Sequence, residues 1–202
     1  MAFYGQAVLQ RMLFQLSRWI PYFRFIVETR DTQTPIRWSH WFRQKILGRN
    51  RFAYWPTSAS SVIVNPANIY AGIETSPGLM PGCYIQAIGP LYIGDYTQIA
   101  ANVGIITANH DPLDNRKHIV KSVKIGKYCW LGMGCIILPG VELGDFTVVG
   151  AGAVVTRSFP EGYAVIGGNP ARLIRRLETA DCERHKSRYE YNGYIRAEQF
   201  ES

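Results

Sequence analysis

Acidic residues are the minority in this 202-residue chain: 15 Asp and Glu stand against 22 Lys and Arg, a formal net charge of +7. Such an excess fits an anionic partner (a phosphate, an acidic glycan or a membrane surface) as well as a plain solvated cationic face. Histidine and cysteine are scarce, with four of each. Cys83, Cys129, Cys135 and Cys182 form no CxxC pair, so neither a disulfide framework nor a metal site is expected. No recognition helix, zinc motif or aromatic-basic RNA signature is present, and nucleic acid is not an expected partner. Arg18, Arg24 and Glu28 interrupt the N-terminal apolar stretch, leaving no run long enough to span a bilayer. No secretory leader is evident, so a reducing, cytoplasmic setting is expected, and the inner face of the membrane is compatible with it.

What the chain has is a six-residue period. From Ile119 to Pro160 every hexad opens on an aliphatic residue: Ile119, Ile125, Leu131, Ile137, Leu143, Val149 and Val155. Gly126, Gly132, Gly144 and Gly150 fill the second position, and Val123, Cys129, Cys135, Val141, Thr147 and Ala153 the fifth. Neither the helical period of 3.6 nor the strand period of 2 produces this register. One short strand and one tight corner per six residues do, which is the pattern of a hexapeptide β-helix. The aliphatic openers and the small fifth residues point inward, so Cys129 and Cys135 read as core. Glycine at the second position suits unusual dihedrals or close backbone approach.

A more degenerate frame with openers Ile63, Ile69, Thr75, Pro81, Ala87, Ile93, Ile99 and Ile105 is expected to run unbroken to His110. The polar segment Asp111–His118 (DPLDNRKH) then leaves the coil as an excursion, and the frame resumes at Ile119. Together the hexads make about five three-sided coils. The expected fold is all-β, with residues 61–177 as the repeat domain. Residues 1–60 are rich in aromatics and arginine and form a helical cap: one helix over Tyr4–Ile20 ends near Pro21, and a second starts near Ser39 and stops at Gly48. This segment either covers the open end of the coil or offers Trp19, Trp38, Trp41 and several arginines to a membrane or lipid-linked substrate. Residues 178–202 are expected to form a tail that is helical to about Tyr191.

The segments ANHDPLDNRKH, IGKYCWLG, ILPGVELGD, VVGAGAVVTRSFPEG and GGNPARLI resemble the hexapeptide-repeat acetyltransferases. The likeness is to the bacterial polysaccharide-biosynthesis O-acetyltransferases and to the maltose and galactoside acetyltransferases. It covers Ile63–Leu177. It implies a left-handed parallel β-helix, a homotrimer, acetyl-CoA as donor and a sugar or polysaccharide precursor as acceptor.

Acetyl transfer from a thioester needs a base for the acceptor hydroxyl and donors for the charge growing on the carbonyl oxygen. His110 ends a coil where the chain is thrown outward, and its neighbours Asn109 and Asp111 match the family's catalytic segment. Alone it would read as a loop histidine; with those neighbours it reads as the general base. His118 closes the excursion, where it either orients the acceptor or is simply solvated, and Asp111 or Asp114 is a candidate to fix the His110 tautomer. The family's acceptor-pocket asparagine has no clear match, and Met80 or Gln86 falls nearby. Trp130 matches a tryptophan lining the donor–acceptor tunnel, and the Met133 N–H matches a donor to the thioester carbonyl. Gly150, Ala151 and Gly152 would wall the pantetheine arm. Thr156 and Arg157 follow, and Arg172 and Arg175 match phosphate-contacting positions, where a cationic fork suits the chemistry; surface charge is the plainer reading of those arginines. Other acetyl acceptors (an antibiotic, serine or a sugar-nucleotide amine) and a non-catalytic scaffold are the alternatives. A zinc carbonic anhydrase of the same fold would need three histidines, and the repeat region has two.

Overall fold

A computed structural model describes residues 12–200. Three parallel sheets form the walls of a β-helix. The first contains Val62–Val64, Tyr84–Gln86, Gly104–Ile106, Ile136–Ile137 and Val154–Val155. The second contains Ile69–Ala71, Leu91–Ile93, Val123–Ile125 and Glu142–Leu143. Gln98–Ile99, Trp130–Leu131, Thr147–Val149 and Ala164–Gly167 build the third, which ends on the antiparallel strand Arg172–Arg176. The chain visits these walls in rotation, so each strand pairs with strands one coil away.

The aliphatic openers form columns inside. Ile105, Ile137 and Val155 are aligned on the first wall, Ile93, Ile125 and Leu143 on the second, and Ile99, Leu131 and Val149 on the third. All are buried, and Cys129 and Cys135 join them in one continuous core. Burial pushes both thiols up to about 12.

The expected unbroken frame before His110 does not hold. Ile63 pairs with Ile85 and Ile85 with Ile105, spacings of 22 and 20 residues where the later Ile137 and Val155 are 18 apart. Pro81 is exposed and stacks on nothing in these columns, while Ile69 aligns with Leu91 and Val123, an inward fifth position. The extra residues sit in wide corners, among them the 3-10 turn Pro66–Asn68 and the Ile88–Gly89 bend. Their total equals one hexad, so the frame returns to phase at Ile93 and imitates continuity.

The excursion is also larger than Asp111–His118. Ala108–His110 pairs antiparallel with His118–Val120, and the Lys121 N–H donates to the Thr107 carbonyl where the hairpin closes. Ile119 belongs to this hairpin and is 42% exposed, so it is not a core opener. The coil resumes at Val123.

Three of the four second-position glycines, Gly126, Gly132 and Gly144, are required by close approach. A Cβ on Gly126 would lie 2.5 Å from the Asp145 nitrogen, and one on Gly144 would lie 2.2 Å from the Pro160 carbonyl oxygen. Positive φ falls two residues after a glycine at Tyr96, Tyr128 and Phe146, and again at Tyr163. Their rings stack in sequence at 5.2, 4.9 and 5.2 Å, an aromatic ladder along the corner between the second and third walls. Left-handed backbone costs about 1–2 kcal/mol per residue, and ring stacking offsets about 0.5–1.5 kcal/mol per pair.

The C-terminal segment does not form the expected helix. After the strand Arg172–Arg176 it runs mostly extended, crosses the ladder, and ends in the hairpin strands Tyr191–Asn192 and Ile195–Arg196 and the short helix Ala197–Phe200. Its contacts are tertiary: the Tyr128 hydroxyl donates to the His185 carbonyl, the Ser187 N–H to the Tyr96 hydroxyl, and the Tyr96 hydroxyl to Glu190.

The N-terminal segment holds a helix over residues 12–19; the part of the expected helix before residue 12 lies outside the described residues. Trp38–Trp41 is helical and continues as one π-turn, Phe42–Ile46, before Gly48 at φ +79° stops it. Phe25, Ile26, Ile36 and Tyr191 make a small separate core. Fully buried Gln44 ties this segment to the coil, donating to the Asn50, Ala53 and Trp55 carbonyls. Trp55, wholly buried, joins the β-helix core, and its indole donates to the Pro77 carbonyl.

Candidate active site

His110 stands at the end of the outgoing strand of the hairpin, opposite His118, with the two rings 4.5 Å apart. The hairpin is rooted on buried Thr107. Its hydroxyl accepts the Gly89 N–H at 2.8 Å and donates to the Gln86 carbonyl at 3.2 Å. Gln86 adds its Oε1, which accepts the Ala108 N–H. The predicted acceptor residue Gln86 therefore holds the root of the hairpin.

The His110 Nδ1 lies 2.5 Å from the Asn115 carbonyl oxygen. A carbonyl only accepts, so Nδ1 carries the proton and a neutral ring has its lone pair on Nε2. Neither aspartate performs this task. The Asp111 carboxylate accepts the Leu113 N–H, shaping the turn, and Asp114 is bound by Arg116 at 2.8 Å and Lys117 at 3.5 Å. The Arg116 guanidinium holds the Asp114 carboxyl below its ordinary range. Asn115 was not visible as a site residue, because it acts through its backbone. Asn109 sits on the same strand, exposed and paired in register with Ile119.

Most of the residues matched to the donor lie elsewhere on the prism. Trp130 is exposed on the third wall, between Gln98 and Val148 in the ladder. It lines a cavity of about 330 Å³ together with Gln98, Tyr128, His185 and Gln33. Met133 is at the corner from the third wall to the first, where its carbonyl accepts the Gly152 N–H. Ala151 occupies the same corner one coil on, exposed. Thr156 follows the last strand of the first wall, and the Arg157 guanidinium lies 5.3 Å from the centre of the Phe159 ring. Arg172 and Arg175 are exposed on the antiparallel strand that ends the third wall. The candidate base His110 rises from the corner between the first and second walls, where Thr156 and Arg157 also fall in a later coil, whereas Trp130, Met133, Ala151, Arg172 and Arg175 lie on the third wall or at its corner with the first. Among the described residues no group of three His, Cys, Asp or Glu is placed to hold a metal, and no helix is long and apolar enough to cross a membrane.

Residues 122–157 match the family model described as bacterial transferase hexapeptide (six repeats). Nodulation protein L of Rhizobium meliloti is 47% identical over 95 residues, 45% of this chain and 51% of that protein. The chain spans about half the length of the curated relatives it matches. Among solved structures, a maltose O-acetyltransferase from Clostridium difficile 630 superposes with a TM-score of 0.54 at 28% identity, covering 85% of this chain and 88% of that one. A galactoside acetyltransferase in complex with coenzyme A gives 0.53 at 26% identity, covering 66% and 70%. Through its repeat region, this chain is similar to the hexapeptide-repeat acetyltransferases.

Proposed function

We propose that the chain is an acetyl-CoA-dependent O-acetyltransferase acting on a hydroxyl of a sugar or polysaccharide precursor, with His110 as general base. The observation that carries this is the His110–Asn115 contact on an extruded hairpin, which leaves Nε2 as a proton acceptor. Nε2 takes the acceptor's hydroxyl proton as that oxygen attacks the thioester carbonyl. The Met133 N–H receives the charge on the carbonyl oxygen, the C–S bond breaks, and the imidazolium returns its proton to the coenzyme A thiolate. No covalent enzyme intermediate is needed. His118 and Asn109 flank the acceptor, Trp130 lines the junction, Ala151 borders the pantetheine arm, and Thr156, Arg157, Arg172 and Arg175 serve the nucleotide end.

Placement of His110 on a different edge from Trp130, Met133 and Ala151 supports a homotrimer of left-handed coils in which one subunit's hairpin faces the third wall of the next. The sugar-acetyltransferase relatives and the coenzyme A complex support the choice of donor and acceptor class. The test is thiol release from acetyl-CoA against sugars, nucleotide sugars and glycan fragments. Acceptor-dependent release, lost in His110→Ala, is expected. Release that survives the substitution would overturn the base assignment, and absence of coenzyme A binding would favour a scaffold.

A further inference from the structure

The helix over residues 12–19 has two apolar faces, and only one is used. On the inner side, the Trp38 indole donates to the Leu13 carbonyl and to the Ser17 hydroxyl, both at 2.9 Å, and Phe14 packs on the small core. On the outer side, Met12, Leu16 and Trp19 follow the i, i+4, i+7 spacing of one helical stripe. They are 66%, 52% and 86% exposed. Tyr22 continues the apolar surface past Pro21, and its ring lies 6.5 Å from that of Trp41, directly before exposed Phe42. Ile46, Leu47 and Phe52 are exposed further along.

The charge carried by this segment is mostly positive. Between residues 12 and 52 the sequence holds eight Lys and Arg and only Glu28 and Asp31 as acids. Arg18, Arg24, Arg43, Arg49 and Arg51 are exposed, whereas Glu28 is bound to Arg196 at 2.6 Å. Behind Tyr22 opens a cleft of about 510 Å³ lined by Arg24, Lys45, Arg196, Tyr54 and Tyr194. Arg24 has no ion-pair partner among the described residues.

We propose that this face docks the chain on an anionic lipid bilayer, with Met12, Leu16 and Trp19 entering the interface and the arginines facing lipid phosphates. An apolar stripe fringed by cations matches the two layers of such a surface, acyl chains below and negative headgroups above. A second copy of the chain would bring like charges together, which disfavours self-association through this face. The inner face packs on the small N-terminal core, so packing and docking are properties of opposite sides of one helix. Docking would hold the hairpin near an acceptor carried at a membrane surface, but it stands independently of the acetyl-transfer reading.

The test is sedimentation of the full chain with vesicles of phosphatidylcholine alone or mixed with phosphatidylglycerol. Binding to the mixed vesicles only, weakened by salt, is expected. The pair Leu16→Ser and Trp19→Ser should lower partitioning about tenfold or more, and so should reversal of Arg43, Arg49 and Arg51 to Glu. All these positions are exposed, and circular dichroism checks that each variant folds. Equal binding by the variants, or no binding to anionic vesicles, overturns the proposal. A change in oligomeric state for the serine pair without vesicle binding would assign the stripe to self-association instead. Coenzyme A binding, measured in parallel, reports on the other reading separately.

Discussion

The His110 Nδ1 is 2.5 Å from the Asn115 carbonyl oxygen, so the tautomer of the proposed base is set by a backbone atom five residues along. The relation depends on the hairpin turn. Asp111 and Asp114 maintain that turn through the Leu113 N–H and the Arg116 side chain.

His110→Ala is expected to lower kcat about 100-fold or more, with coenzyme A affinity retained. His118→Ala should act mainly on KM for the acceptor. Steady-state kinetics for both variants, beside isothermal titration with coenzyme A, check the split.

Gly126 and Gly150 hold the same hexad position but should respond differently to alanine. A Cβ at Gly126 meets the Asp145 nitrogen at 2.5 Å, whereas at Gly150 the nearest atom is the Ile166 carbonyl oxygen at 3.4 Å. Gly126→Ala is expected to cost several times what Gly150→Ala costs, on the order of 3 kcal/mol against under 1. Denaturant unfolding of the two proteins decides it.

Tyr128 lies in the middle of the ladder with a ring on each side and φ of 55°. Tyr128→Gly removes the backbone cost and both stacking pairs, along with the hydroxyl bond to His185. A net loss of about 1–3 kcal/mol is expected. Stability unchanged in thermal unfolding would mean that the rings are incidental to the corner.

Acid should loosen the N-terminal segment in two steps. Burial, with Arg37 and Arg43 adding to it, lowers the His40 pKa from its usual 6.5 to about 4. The folded state therefore resists a proton that the unfolded chain accepts, and stability falls as pH drops from about 6.5 toward 4. Burial raises the Glu28 carboxyl, but hydrogen bonds from Arg196 and Tyr191 outweigh it, so its pKa is lowered overall. Its contribution is present above the ordinary carboxylate value and is lost as pH falls through the lower folded value. Melting temperature against pH should show both windows. Glu28→Gln should flatten the lower one and His40→Gln the upper one.

Much of the repeat region was legible because its signal is local. Between Ile125 and Val155 each corner takes a fixed number of residues, so an inward position recurs every six and the columns through Leu131, Ile137 and Leu143 follow directly. Before Ile93 the corners are wider, and their surplus adds to one full hexad, which hid it from a period count. The aromatic ladder carries a local signal: an aromatic two residues after glycine at Gly94–Tyr96, Gly126–Tyr128 and Gly144–Phe146. The tail had none, because its extended path is held by Tyr96 and Tyr128, far away in sequence.

By itself the sequence determined the coil, its inward columns from Ile125 to Val155 and the polar interruption after His110, since aliphatic period and polar interruption are properties of neighbouring residues. It also singled out His110. Only the tertiary structure decided that the excursion is a hairpin pairing His110 with His118, that Asn115 rather than an aspartate orients the ring, and that the tail straps the ladder. Those relations run through backbone carbonyls and long-range contacts, which leave no periodic trace in the order of side chains.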